Sequence, residues 1–114
     1  MEPYLEQSHS DKPLYSDSKS MVAYCLECQT FHIYYGNVAL DQSEAALRSL
    51  IRSLRANLAK FDGQVDDNCR CVEISTPAHG FRLVLSTKEL REFSQILEKS
   101  YETFKHQRRL ECYN

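Results

Sequence analysis

Five cysteines, at positions 25, 28, 69, 71 and 112, are the residues of this 114-residue chain best suited to chemistry. Cys25-Leu26-Glu27-Cys28 has the spacing of a metal knuckle, where a tight turn aims two thiolates at one Zn²⁺, each about 2.3 Å away. Cys69-Arg70-Cys71 supplies a second pair. Together Cys25, Cys28, Cys69 and Cys71 can close a tetrahedral Cys₄ site, and this is the zinc ligand set that the spacing predicts. Geometry imposes one condition. Residues two apart in an extended strand have Cα atoms ~6.6 Å apart, whereas two sulfurs on one zinc sit ~3.8 Å apart. The Cys-x-Cys pair therefore needs a bend, which the Asp66-Asp67-Asn68 stretch before it can provide. His32 is the rival ligand, four residues after Cys28, and would give Cys-x-x-Cys-x-x-x-His. Two readings without metal stand beside these. Unpaired cysteines often pack as small apolar groups, and a Cys-x-x-Cys pair can be redox-active. Redox motifs of the thioredoxin type sit at a helix N-terminus, where the dipole lowers the thiol pKa; here the motif precedes a strand pattern.

Other groups offer less. No Ser-His-Asp pattern is visible, and the three glycines, at 36, 63 and 80, make neither a P-loop nor a dinucleotide fingerprint. Cys28 and His32 could form a thiolate–imidazole pair, but nothing nearby supplies an orienting group or an oxyanion hole, so no enzymatic activity is expected. His32 alternates with Phe31 and Ile33 and must face away from them; His79 falls in a turn and Cys112 close to the end of the chain. Arg48, Arg52 and Arg55 form a basic stripe, suited to solvent or to an acidic partner. Tyr24, Tyr34 and Tyr35 read as sheet residues, and aromatic sheets can stack bases. Fourteen Lys+Arg against sixteen Asp+Glu leave a net charge of −2, which argues against a dedicated nucleic-acid binder.

The elements that must position these groups follow from periodicity. Met21 to Cys25 and Phe31 to Tyr35 read as strands, Gly36-Asn37 as a turn, and Val38 to Leu40 as a third strand. Asp41 or Ser43 then caps a helix over residues 43–61, with Leu47, Leu50, Ile51, Leu54, Leu58 and Phe61 on one stripe. Cys69 to Ser75 and Phe81 to Leu85 read as two more strands. Ser86 and Glu89 form a capping box that opens a second helix, with Leu90, Phe93, Leu97, Tyr101 and Phe104 as its stripe, running to about Lys105. Each half is thus a hairpin followed by a capped helix. The predicted fold is α+β and two-layered, a mostly antiparallel sheet with both helices on one face.

At Cys25-Leu-Glu-Cys28-Gln-Thr-Phe31-His32-Ile33-Tyr-Tyr35-Gly36-Asn37 the chain resembles a family of small bacterial proteins with no assigned function. These share a C-x-x-C, an aromatic strand, an aromatic-Gly turn and a short strand leading into a Ser-capped helix. The resemblance covers roughly residues 22–55. It implies the hairpin–helix order and carries no activity, and it does not extend to Cys69 and Cys71.

Residues 1–20 are polar, with Tyr4, Leu5, Leu14 and Tyr15 as their main apolar anchors. They are expected to form a flexible arm, ordered by the chain's own sheet edge or by a partner. Residues 21–107 are expected to form one domain and 108–114 a tail. This leader lacks the apolar core of a signal peptide, and no apolar run approaches the ~20 residues of a membrane span. A reducing, cytoplasmic compartment is therefore expected. The functional expectation is a small module that binds another protein as adaptor, regulator or assembly subunit, stabilised by zinc. The alternative is a thiol-based redox or metal-handling protein.

Overall fold

The structure, a computed structural model, describes residues 11–76 and 80–112. Four strands, β1 (Asp11–Ser16), β2 (Ser20–Cys25), β3 (Thr30–Tyr35) and β4 (Val38–Gln42), form an antiparallel sheet in chain order. Helix α1 (Glu44–Phe61) follows, then the hairpin of β5 (Val72–Ser75) and β6 (Arg82–Leu85), and last α2 (Thr87–Cys112). The fold is α+β as expected, but the strands divide into a four-stranded and a two-stranded sheet.

Local chemistry sets the element ends. Gly36, at φ +56°, opens the two-residue turn between Tyr35 and Val38, a conformation an L side chain resists. Ser43 caps α1 by accepting the Ala46 N–H at 3.1 Å. At α2 the capping box closes reciprocally: the Glu89 N–H donates to Ser86 Oγ and the Ser86 N–H to Glu89 Oε1, both at 3.0 Å.

Side chains alternate across a strand, so the sheet has two distinct faces. Phe31, Ile33 and Tyr35 of β3, with Val22 of β2, are buried against the helices. Phe104 of α2 meets Phe31 at 4.8 Å between ring centroids, and Phe93 stacks on Tyr35 at 4.5 Å. Leu47, Leu50, Ile51 and Leu54 of α1 join the same core, as do Val72 and Ile74 of β5 and Leu83 and Leu85 of β6. The helices run antiparallel: Glu44, at the start of α1, accepts from Tyr101 and Arg108 late in α2, while Arg91, early in α2, pairs with Asp62 after α1. Both helices thus cover one face of the four-stranded sheet. Met21, Ala23, Cys25, His32, Tyr34 and Asp41 point to the far face.

Strand β1 lies within the segment the sequence reads as an arm. Its pattern hides it: Pro13 cannot donate to a ladder, and a bulge between Pro13 and Tyr15 breaks the alternation. Both are tolerated because β1 is an edge strand. It pairs with β2, and its Lys12 ion-pairs with Glu111 of α2. The domain boundary expected after residue 20 therefore falls inside a strand pair. Tyr4 and Leu5 lie outside the described residues, as does His79. At the other end α2 continues through residues expected to be a tail, as far as Cys112. No helix among the described residues is long and apolar enough to cross a membrane.

Candidate metal centre

The far face of the four-stranded sheet carries a diagonal polar row with one residue from each strand. Asp11 of β1 lies opposite Cys25 of β2; His32 of β3 lies opposite Ala23 of β2 on one side and Asp41 of β4 on the other. A ligand atom each from Asp11, Cys25 and His32 falls within 4.8 Å of the other two. Tetrahedral coordination at zinc-type bond lengths needs ligand atoms about 3.3–3.8 Å apart. A contraction of about 1 Å, within reach of side-chain rotation, closes the gap.

Cys28 lies outside that three-residue cluster and borders it through Cys25. The Cys25–Cys28 segment folds back on itself: the Gln29 N–H donates to the Cys25 carbonyl at 2.8 Å, and the Cys28 N–H donates to Cys25 Sγ at 3.2 Å. Gln29 leaves the turn at φ +54°, the left-handed region that a non-glycine residue enters only at a cost. The amide aimed at Cys25 Sγ is placed to offset the negative charge that a coordinating sulfur carries. A hydrogen bond with Cys25 raises the Cys28 thiol pKa above its ordinary value, with burial adding to the effect, so the two sulfurs adjoin. Cys25 is buried and Cys28 exposed, and no disulfide joins them.

His32 is oriented from behind. Its Nδ1 lies 2.7 Å from Asp41 Oδ1, and the carboxylate can only accept, so Nδ1 carries the proton. In the neutral imidazole Nε2 then holds a lone pair. Nε2 is buried and has no hydrogen-bond partner among the described residues; the same holds for Asp11 Oδ1. A buried polar atom left unpaired costs about 1–3 kcal/mol. Two such acceptors beside one buried sulfur make a concentration of electron pairs suited to a cation. A carboxylate behind a ligating imidazole is also the usual support of a metal-bound histidine.

The expected Cys₄ set is not assembled. Arg70, between Cys69 and Cys71, pairs with Glu89 in the first turn of α2 at 2.7 Å. Lys12, next to Asp11, pairs with Glu111 at the other end of α2. The 22 steps along α2 from Glu89 to Glu111 span about 33 Å of helix. Cys25 and Cys28 thus sit at one end of the molecule, and Cys69 and Cys71 at the other. The similar halves of the sequence suggest one shared site, but the β5–β6 hairpin is a separate sheet near the start of α2 and never adjoins β2. His32, the rival ligand, is the one the fold brings to Cys25. Asp11 escaped notice because it lies on a strand without a strand pattern, and Asp41 because it reads as a helix cap.

The remaining features are placed simply. Of the basic stripe, Arg48 pairs with Glu44 within α1, and Arg55 pairs with Glu98 and ties α1 to α2. Tyr24 packs between Phe31 and Phe104 on the helix side, so it is no base-stacking platform.

Residues 8–112 match the family described as Family of unknown function (DUF6686), and the chain belongs to it. The match takes in β1 and therefore Asp11. Neither a curated protein nor a solved structure matches the chain.

Proposed function

We propose that this DUF6686 member is a small protein-interaction module stabilised by one zinc ion, which Asp11, Cys25, Cys28 and His32 hold on the far face of the sheet. The observation that carries the reading is the pair of buried, unpartnered acceptors, Asp11 Oδ1 and His32 Nε2, beside Cys25. Two sulfurs, an imidazole and a carboxylate suit a borderline-soft, tetrahedral ion, which favours zinc over the harder magnesium or calcium. Four protein ligands make a closed site of the structural kind, with no position left open for a substrate. We accordingly assign no catalysis. The ion would fasten the edge strand β1 and the Cys25–Cys28 turn to β3. In a small domain the binding free energy of such an ion is largely folding free energy. Support for a protein partner comes from the same end of the molecule. Leu26 in the knuckle and Leu110 in the last turns of α2 are large apolar side chains left exposed, and Leu26 borders a cleft with Tyr24 and Phe104.

A Cys25–Cys28 redox pair is the second reading, since the two sulfurs adjoin. The motif lies between two strands and not at a helix N-terminus, where a dipole would favour a thiolate, and this tells against it. Metal analysis of the purified chain, with Co²⁺ substitution, tests the proposal. One ion per chain and an intense tetrahedral cobalt spectrum are expected, lost in Cys25→Ser and His32→Ala and kept in Cys69→Ser/Cys71→Ser. A metal-free protein that gives no tetrahedral cobalt spectrum would refute it.

A further inference from the structure

Cys69 and Cys71 take no part in the centre described above, and their geometry points to separate chemistry. Both are exposed, which removes the reading of buried apolar filler. They end the loop between α1 and β5, and that loop is tightly turned: the Cys69 N–H donates to the Asp66 carbonyl, and the Cys71 N–H to the Cys69 carbonyl, each at 3.0 Å. A hydrogen bond between residues two apart is a γ-type turn. It draws the two Cα atoms closer than the ~6.6 Å of an extended strand, inside the range of about 4.4–6.8 Å that a disulfide bridges. Cys71 Sγ folds back over the turn and donates to the Cys69 carbonyl oxygen at 3.6 Å. Arg70 is held off by its bidentate contact with Glu89, at 3.1 and 2.7 Å, so it does not separate the sulfurs. Among the described residues no third metal-binding group joins the pair.

We infer that Cys69 and Cys71 form a second thiol site, a dithiol that closes reversibly to an intramolecular disulfide by exchange with a small-molecule disulfide. Cys69, as thiolate, attacks one sulfur of that disulfide; the S–S bond breaks and one small thiol leaves. Cys71 then gives up its proton and attacks the Cys69 sulfur of the mixed disulfide, which releases the second small thiol. The protein loses two hydrogens and two electrons, and the small disulfide gains them. Exposed or strained disulfides are the labile, regulatory ones, and a ring closed over a single intervening residue belongs to that class. Closure would fix the turn that carries Arg70 to the capping box of α2.

The site is tested on the full chain. The protein is equilibrated in mixtures of reduced and oxidised glutathione, quenched with N-ethylmaleimide and cut with trypsin. Cleavage after Arg70 places Cys69 and Cys71 in different peptides, 61–70 and 71–82, so the disulfide appears as a linked pair of known mass. The expected result is that pair, reversed by excess reduced glutathione, and formed at least about tenfold more readily in the native chain than in denaturant, because the turn pre-organises the sulfurs. Separate glutathione or maleimide adducts on the two peptides in excess oxidised glutathione would overturn the inference. So would a linkage to Cys25, Cys28 or Cys112, or equal closure in native and denatured protein.

Discussion

Asp41→Ala is the most revealing perturbation of the proposed centre, because Asp41 touches no metal. Its carboxylate is 70% exposed and lies 2.7 Å from His32 Nδ1. Removing it frees the imidazole to change tautomer and to rotate, so Nε2 is no longer held towards Asp11 and Cys25. Losing such a support typically weakens metal binding about 10–100-fold, or about 1.4–2.7 kcal/mol. At a fixed free zinc concentration well above the dissociation constant, the folded state should lose the same amount through linkage. In the metal-free protein the substitution should cost no more than about 1 kcal/mol, since an exposed ion pair contributes little. Competition against a chromophoric chelator measures the affinity, and urea melts with and without zinc measure the two stabilities. Asp41→Asn keeps an acceptor oxygen for Nδ1–H and should lose less than Asp41→Ala. An affinity change below about threefold would show that the imidazole is not held by Asp41 for a metal. Equal destabilisation with and without zinc would reduce the pair to an ordinary surface contact.

Three further outcomes are expected. Phe93→Ala removes a buried ring stacked on Tyr35 and should cost about 3–5 kcal/mol in urea denaturation, whatever the metal content. Hydrogen bonds from Arg108, helped by Tyr101, hold Glu44 below the usual carboxylate range. Because its folded pKa lies below its unfolded one, the unfolded chain binds more protons in that window. The stability Glu44 contributes is complete above about pH 4.3 and lost as pH falls through its folded pKa; Glu44→Gln should flatten that part of the acid limb in pH-dependent melts. Gln29→Gly relieves a residue at φ +54° and should stabilise the metal-free protein by up to about 1 kcal/mol, net of added chain entropy; a loss of stability would mean that the Gln29 side chain holds the turn.

The sequence by itself determined whatever depends on neighbours along the chain. The stripes of α1 and α2, the Ser43 cap, the Ser86–Glu89 box and the Gly36 turn were all legible, because each is settled within a few residues. The approach of His32 to Cys25 was legible in part: Cys-x-x-Cys-x-x-x-His lies within one hairpin, so antiparallel pairing brings them near each other without help from elsewhere. Only the tertiary structure decided the rest. Asp11 reaches the site because β1 pairs with β2 despite Pro13 and a bulge, and that pairing draws on the core, against which Leu14 and Tyr15 pack, rather than on any regular pattern in residues 11–16. Cys69 and Cys71 resemble Cys25 and Cys28 in their place along the chain, yet spacing along a chain says nothing about which sheet a strand joins. The packing of the β5–β6 hairpin near the start of α2 put one long helix between the two pairs. That choice is made by the shared core beneath both sheets, and it turned one expected four-cysteine site into two separate places.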